Sequence, residues 1–271
     1  MPWTDEHLEW LIDNGETFTT SCGKSVPIYD FRYDMTNTQI MSKWATHFRN
    51  HYCLDTELPF LKPDDISNSA FLLTLKFPDK SSAPGPSIRA GDFSEILVAD
   101  YLEFLRDYYV PRTRYDRKII GNESSKGSDV LGFKQYGKKP NKKDELIIYE
   151  VKAKLSENQK ANILQTAIDD SSKDETRLAE SLNGIKQRLF DRKNVSGMTV
   201  ISRFQNSIDA PYKTIFGAAA VVTDSSCCFD TLAESNSTNH VAQKDLELLV
   251  IKGGNLMTLV RALYDRAANE A

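Results

Sequence analysis

The sequence contains no long apolar run. No stretch approaches the roughly 18 apolar residues that a membrane-spanning helix requires. The N-terminal segment, MPWTDEHLEW, is acidic, whereas an export signal joins positive charge to an apolar stretch. From these two absences we expect no membrane segment and a cytoplasmic location.

Cysteine is also scarce, with four residues in a chain of 271. The cysteines are Cys22, Cys53, Cys227 and Cys228. They include an adjacent pair and show no C-x-x-C spacing, which argues against both a disulfide framework and a zinc ribbon, so we expect reduced thiols. His47 and His51 lie one helical turn apart and close to Cys53, but no fourth ligand is apparent, which argues against a structural zinc.

An excess of positive charge is the third feature that is missing. The chain has 34 Lys and Arg against 38 Asp and Glu, a formal net charge of −4, and its pI is near 5.7. Phosphate binding depends mostly on Lys and Arg that displace counterions, so a protein that coats DNA unaided is basic. Contact with DNA is therefore expected to be local, or to be supplied by a partner.

The length and composition are those of a folded enzyme. With 271 residues, 40% of them hydrophobic, the chain can bury a large core in one domain or in a catalytic domain with a smaller companion. Residues 79–91, DKSSAPGPSIRAG, are rich in Ser, Pro and Gly, as loops and linkers are. We place a domain boundary there, with an N-terminal α+β region at 1–84 and the main core at 85–271.

The apolar pattern predicts an α/β (α+β) fold with a mixed central sheet flanked by helices. Apolar runs predict strands at 25–33, 70–77, 115–120, 128–134, 145–154, 215–223 and 246–252. Apolar residues at helical spacing predict helices at 4–14, 37–52, 92–108, 157–169, 174–192, 198–204 and 256–268.

Acidic and basic side chains of complementary chemistry lie on two of the predicted strands. Side chains alternate along a strand, so Glu150 and Lys152 face one way and Val151 faces the other. Asp129 stands at the start of the preceding strand. Two carboxylates can hold Mg²⁺, and an ammonium can orient an attacking water or offset the charge that grows on phosphorus. We therefore interpret the chain as a metal-dependent nuclease.

Each of these residues also has an ordinary interpretation. E-x-K occurs by chance in many proteins, and Glu150 and Lys152 can lie on the water-facing side of an amphipathic strand. Asp129 can be a turn residue, because aspartate is common in turns. Glu95, on a predicted helix, can be a solvated or paired acid. The nuclease interpretation rests on the combination of these residues and not on any one of them.

Three motifs in order along the chain resemble the PD-(D/E)xK, or restriction-endonuclease-like, superfamily. They are Glu95 in GDFSEIL, Asp129 in KGSDVLGF, and Glu150 with Lys152 in YEVKAK. Ser128 stands where that superfamily often has proline, a position that varies widely within it. The resemblance implies a restriction-endonuclease-like core in which these four residues are catalytic.

More narrowly, residues 70–271 resemble HamA, the family of nuclease subunits of the Hachiman anti-phage defence system. The order GDFSEIL, KGSDVLGF, YEVKAK and LELLVIKGGNLMTLVRALYDRA carries this resemblance. It implies that Asp129, Glu150 and the Val151 carbonyl hold Mg²⁺ or Mn²⁺, while Lys152 positions the nucleophile or steadies the transition state. Glu95 would tether a metal-bound water or support a second ion.

The same resemblance implies a partner for this chain. Such nuclease subunits form a heterodimer with a HamB-type superfamily 2 helicase, which is thought to restrain the nuclease until aberrant DNA is sensed. DNA is then degraded indiscriminately. The acidic pI agrees with a helicase that supplies the grip on DNA, and the region before residue 85 is the candidate docking surface.

Basic residues bracket the predicted site along the chain and are candidate contacts to DNA. They are Arg112, Arg114, Lys126, Lys138 and Lys139. The stretch KKPNKK can equally be a solvated hairpin loop. Two other functions stay open: a catalytically inactive subunit that binds nucleic acid or acts as a scaffold, and a dimeric, sequence-specific restriction endonuclease.

Overall fold

The protein is built around one mixed β-sheet. The computed structural model describes residues 2–156 and 161–271. The strands are β1 (Leu11–Thr19), β2 (Ser25–Phe31), β3 (Val130–Lys134), β4 (Glu145–Lys154), β5 (Lys213–Thr223) and β6 (Glu247–Gly253). They lie in the order β1-β2-β6-β5-β4-β3, with parallel pairing from β2 to β4 and antiparallel pairing of β1 and β3 at the edges. The predicted mixed central sheet, flanked by helices, is confirmed.

Helices cover both faces of this sheet. They are α1 (Thr38–Asn50), α2 (Leu58–Leu61), α3 (Asn68–Phe71), α4 (Gly85–Asp100), α5 (Ile163–Ser171), α6 (Asp174–Asp191), α7 (Val195–Phe204), α8 (Phe229–Ala233) and α9 (Leu256–Asn269). Single π-helical turns continue α3 over Leu72–Lys76 and α4 over Tyr101–Leu105. Within residues 2–156 and 161–271, no helix combines the length and the apolar content that crossing a membrane demands.

Strand β4 separates two buried cores. Tyr149 and Val151 point to one face, where they pack with residues of α1, α4 and α9. Ile148 points to the other face, where it packs with residues of α5, α6 and α7. The predicted alternation along β4 is confirmed, and it puts Glu150 and Lys152 on the side of α5 and α6.

Two predictions near the N-terminus are wrong. Residues 4–14 are predicted as a helix, but only Glu6–Trp10 form a 3₁₀ turn, because the following residues pair with β2 as strand β1. Residues 70–77 are predicted as a strand, but they lie in α3 and its π-helical continuation. The Ser67 side chain accepts a hydrogen bond from the Ala70 N–H and so caps this helix. A short apolar run does not by itself distinguish a helix from a strand.

The predictions on either side of α4 also need correction. The helix begins at Gly85 and not at residue 92, and Pro86 lies in its first turn, where a missing N–H removes no helical hydrogen bond. Residues 115–120 form turns and bends in place of the predicted strand. The helix predicted at 157–169 is found as α5, and its first part, 157–160, lies outside the described residues.

The first 84 residues share the central sheet with the rest of the chain. Strand β2 pairs in parallel with β6, and α1 packs against α9. The sheet and one of its cores therefore extend across the segment at 79–91. The boundary between 1–84 and 85–271 stays a prediction.

Candidate active site

The pairing of β3 with β4 brings Asp129 beside Glu150. Val130 pairs with Tyr149 in this antiparallel register, so the residues before and after them, Asp129 and Glu150, come opposite each other. Asp129 Oδ2 accepts a hydrogen bond of 3.0 Å from the backbone N–H of Val151. This bond holds the Asp129 carboxylate next to the strand that carries the E-x-K motif.

Lys152 contacts two carboxylates, one on the same face of β4 and one on α5. Its Nζ lies 2.7 Å from Glu150 Oε1 and 2.7 Å from Asp170 Oδ2, near the end of α5. Burial alone would lower the pKa of Lys152, but its hydrogen bonds to Asp170 and Glu150 raise this pKa well above its usual range. Lys152 therefore keeps its charge at neutral pH, where it can donate hydrogen bonds and cannot serve as a base.

Glu95 comes from the face of the sheet that Glu150 does not occupy, because α4 packs with the core on that side. Arg114 connects it to the site: Nε lies 2.5 Å from Glu95 Oε2, and Nη2 lies 2.6 Å from Asp129 Oδ1. The Tyr115 hydroxyl also donates a hydrogen bond of 2.5 Å to Glu95 Oε2. Glu95 thus reaches Asp129 through a guanidinium.

The three predicted acids are not gathered around one point. In the described residues, Glu95, Asp129 and Glu150 belong to no group of three His, Cys, Asp or Glu whose ligand atoms all lie within 4.8 Å of one another. Cationic side chains contact them instead, Arg114 on Asp129 and Lys152 on Glu150. The structure brings Asp129, Glu150 and Lys152 together and leaves Glu95 at the edge of the site.

Negative charge is in excess around Glu150. Burial and the charge of Asp129 raise the pKa of Glu150 to about 7, although Lys152 opposes this rise. Burial raises the pKa of Glu95 to about 8, against the opposing effect of Arg114. Within the part of the chain that the structure describes, the buried Glu150 Oε2 has no hydrogen-bond partner. An unpaired carboxylate oxygen beside a second carboxylate fits the oxygen donors that Mg²⁺ and Mn²⁺ prefer.

A small cavity lies next to Arg114 and Asp129. Its volume of about 70 Å³ suits a few water molecules and is well below the roughly 300 Å³ of a small-ligand pocket. Lys126 and Ser181 contribute to its walls. The cavity does not enclose a nucleotide, so a nucleic acid would reach the acids from the surface.

A family model for HamA matches residues 5–267, which include all the candidate catalytic residues. The chain belongs to the HamA family. Membership of this family supports the interpretation that the protein is a component of the Hachiman defence system. The predicted resemblance to HamA is confirmed, and the match covers a longer span than 70–271. Comparison with curated proteins finds no match.

This HamA-family protein has a second group of possible metal ligands. His47, His51 and Asp100 are buried, and each offers a ligand atom within 4.8 Å of the others, so the group could bind a metal ion. The Arg112 guanidinium already lies among them: its Nη1 is 2.6 Å from Asp100 Oδ1, 3.2 Å from His47 Nε2 and 2.9 Å from His51 Nε2. The sequence pattern that joined Cys53 to the two histidines missed Asp100, which is distant in sequence.

Hydrogen bonds fix the position of the ring proton on His47, and burial keeps His47 and His51 uncharged. Thr4 N–H donates to His47 Nδ1 at 3.1 Å, so the ring proton lies on Nε2, which donates to Asp100 Oδ1 at 3.0 Å. Burial lowers the pKa of His47 to about 4. Burial and the charge of Arg112 lower the pKa of His51 well below its usual range. At neutral pH both rings are uncharged, and the ionic contact is between Asp100 and Arg112.

The two arginines predicted to contact DNA in this HamA-family protein form ion pairs with acidic residues of the same chain. The Arg112 side chain is only 3% exposed, so in this structure it has no path to a phosphate, because the histidine group surrounds it. Arg114, 16% exposed, is paired with Glu95 and Asp129. For these two arginines, sequence reasoning recognised the basic residues and missed their internal partners.

The three predicted lysine contacts are exposed but lie in two places. Lys126 borders the cavity beside Asp129. Lys138 and Lys139 lie in the turn between β3 and β4, at the opposite end of these strands from Asp129. At about 3.4 Å per residue, the end of β3 at Lys134 is roughly 17 Å from Asp129 along the strand. The basic clusters that bracket the site in sequence do not bracket it in space.

Proposed function

We propose that this HamA-family protein is a metal-dependent DNA endonuclease of the PD-(D/E)xK superfamily and the effector subunit of a Hachiman system. One observation carries the proposal: the Val151 N–H holds the Asp129 carboxylate beside Glu150, and Lys152 lies on the same face as Glu150. Two adjacent carboxylates and a permanently charged ammonium are the groups that phosphodiester hydrolysis with a divalent ion requires.

The donor set supports a site for Mg²⁺ or Mn²⁺. Asp129, Glu150 and the Val151 carbonyl would hold the ion, and Glu150 Oε2 is a buried oxygen that lacks a partner in the described residues. When bound, such an ion supplies a water of lowered pKa and polarises the scissile phosphate. The Val151 N–H keeps Asp129 in position for this role, since a fixed carboxylate needs little reorganisation.

Lys152 assists as a cation in the proposed reaction. Asp170 and Glu150 hold its ammonium in a defined position. As negative charge grows on phosphorus, Lys152 donates hydrogen bonds to a phosphate oxygen or to the attacking water. Glu95, at the edge of the site, would tether a water or support a second ion.

The partner of this subunit is proposed to be a HamB-type helicase that holds the nuclease in check in the cytoplasm. The net charge of −4 supports this arrangement, because a separate subunit can supply the grip on DNA. Phe60 is 87% exposed and Leu61 is 46% exposed, within the proposed docking region 1–84. Exposed apolar side chains of this kind suit a protein interface.

Surface substitutions test this docking region better than truncation, because β1 and β2 are part of the central sheet. Phe60→Ser with Leu61→Ser should weaken co-purification with the helicase and leave the thermal unfolding temperature unchanged. Phe190→Ser, at a 68% exposed position outside the region, is the matched control. Unchanged helicase binding by the double variant would place the interface elsewhere.

Cleavage of supercoiled plasmid tests the enzymatic proposal. Wild type and Glu150→Gln are compared in Mg²⁺, each with and without the HamB-type helicase. We expect the wild type to degrade plasmid to a smear, Glu150→Gln to leave it intact, and the helicase to change only the wild-type rate. A discrete fragment ladder would indicate a sequence-specific restriction endonuclease.

Intact plasmid in all four reactions would favour the non-catalytic alternative. That alternative has one observation in its favour, because Arg114 already neutralises Glu95 and Asp129 within the chain. In that case the fold would bind nucleic acid or act as a scaffold, and the acids would be remnants of a catalytic site.

A further inference from the structure

One buried carboxylate in this protein differs from all the others that the structure describes. Seven Asp or Glu residues are buried in the described parts of the chain. Six of them have a Lys or Arg nitrogen within 4.0 Å. These six are Asp30, Asp92, Asp100, Asp116, Asp144 and Glu150. The seventh, Asp174, is fully buried and has no such partner among the described residues.

Asp174 is the first residue of α6, and its surroundings place it near the proposed site. Ser181, two turns further along α6, accepts a hydrogen bond of 3.2 Å from the N–H of Ser128, the residue before Asp129. At seven residues' separation, Asp174 and Ser181 lie on the same face of the helix. Just before α6, Asp170 contacts Lys152. The face of α6 that carries Asp174 is thus directed at the strands that hold Asp129 and Glu150.

The oxygens of Asp174 are unsatisfied in the described structure. Neither Oδ1 nor Oδ2 has a hydrogen-bond partner there, and Glu150 Oε2 is in the same condition. Burial raises the pKa of Asp174 to about 6 and Asp129 reinforces this rise. The charges of Arg177 and Arg114 oppose it, as does the nearby Ser128 side chain, which does not reach hydrogen-bond geometry. The start of a helix favours a carboxylate, but here no helix N–H bonds to one. Buried charges are ordinarily paired or bound to metals.

We propose that Asp174 is a further carboxylate of the divalent-cation site and holds, through one bound water, the ion that Glu150 and Asp129 bind. A bound water is needed because the ligand atoms of the three described residues do not all lie within 4.8 Å of one another. The cation would be hard, as Mg²⁺ and Mn²⁺ are, because all the donors are oxygens. This inference rests on the proposed metal-dependent function and adds α6 to the elements that build the site. It explains why this carboxylate, unlike the other six, has no Lys or Arg nitrogen within 4.0 Å among the described residues.

Binding of Mn²⁺ to the full chain tests this role without any measurement of cleavage. The free Mn²⁺ signal in electron paramagnetic resonance is followed during titration of wild type, Asp174→Asn and Asp174→Ser. We expect each neutral variant to bind Mn²⁺ roughly tenfold more weakly or worse, as loss of a supporting ligand typically causes. Circular dichroism checks that each Asp174 variant whose Mn²⁺ affinity is measured is folded.

Asp116→Asn is the matched control, because Asp116 is also buried but lies 2.9 Å from Arg192 Nε. It should leave Mn²⁺ affinity unchanged. Wild-type affinity in a folded Asp174→Asn or Asp174→Ser would overturn the role of Asp174 alone, provided that Glu150→Gln still weakens binding. If Mn²⁺ fails to bind the wild type, or binds Glu150→Gln equally well, the proposed function fails and this inference fails with it.

Discussion

Two buried charged centres in this protein satisfy their charge in different ways. Around Asp100, the chain supplies its own cation, Arg112, and both oxygens of the carboxylate are paired. Around Glu150 and Asp174, carboxylate oxygens are left without partners in the described residues. A list of metal-binding residue types would favour the first centre, because it contains two histidines. The balance of charge favours the second, since a cation from outside would complete it.

The largest effect is expected when the cation of the first centre is removed. Arg112→Ala leaves Asp100 buried without its cation, and breaking a buried pair in this way typically costs about 3–5 kcal/mol. The free energy of unfolding, measured in urea, should fall by that amount. Arg32→Ala, whose side chain is 65% exposed beside Asp30, should change it by less than about 1 kcal/mol. Equal small losses in both variants would show that Arg112 does not balance Asp100.

A substitution of Lys152 at the second centre should lower the cleavage rate and leave the stability of the fold unchanged. Lys152→Ala removes one preorganised donor, which typically lowers the cleavage rate by roughly two orders of magnitude or more. Single-turnover plasmid cleavage with the helicase present measures this loss, and thermal unfolding checks that the fold persists. Lys244→Ala, at an exposed position, removes the same charge and should cleave at the wild-type rate. A folded Lys152→Ala variant with full activity would remove the lysine from the mechanism.

A pH series on metal-free protein tests the excess negative charge at the second centre. Burial and Asp129 raise the folded-state pKa of Glu150 from 4.5 to about 7. The folded state thus binds the proton on the Glu150 carboxyl more tightly than the unfolded state does. The stabilisation that this proton gives the fold is complete at low pH and is lost as the pH rises through about 7. Glu150→Gln removes this titration. Its stability relative to wild type should therefore increase between about pH 5 and pH 8.

The histidines of the first centre titrate in the opposite sense. Their folded-state pKa values are lowered, so their contribution makes the fold less stable as the pH falls below 6.5. They are the same in wild type and Glu150→Gln, so their effect cancels in the difference. A difference that stays constant across the pH range would show that Glu150 is not in an electrostatically unfavourable position.

The smallest effect is expected at the basic turn, far from both centres. Changing Lys138 and Lys139 to Ala should weaken DNA binding modestly and reduce the slope of log affinity against log salt by about 1 for each phosphate that is no longer neutralised. The cleavage rate at saturating DNA should be unchanged, because the turn is at the other end of the strands from Asp129. An unchanged salt slope would assign these lysines to a solvated loop.

The parts of the site that lie on strands could be predicted, because alternation along a strand is local. Glu150 and Lys152 share a face of β4 for that reason, and Asp129 was recognised at the start of the preceding predicted strand. The partners of these residues could not be predicted, since they come from packing between distant segments. Arg114 appears in sequence as a DNA contact, and only the fold pairs it with Asp129. No motif marks Asp174, which depends on the placement of α6.

The same limit applies to the fold. Most strands and helices of the main core were predictable because long segments keep one apolar period, and the short run at 115–120, which forms turns and bends, was the exception. Residues 70–77 were not, since a short apolar run fits a helix or a strand until a cap such as Ser67 decides it. The start of α4 was missed because proline, which is common in loops, is also accepted in the first turn of a helix.

The most direct measurement is anomalous X-ray scattering from Mn²⁺-soaked crystals of the full chain. We expect a manganese peak within coordination distance of Asp129 and Glu150, with a water bound to Asp174 beside it. We expect none among His47, His51 and Asp100, where Arg112 supplies the positive charge. A peak at the histidine group, with none beside Glu150, would contradict both the proposed active site and the comparison of the two centres.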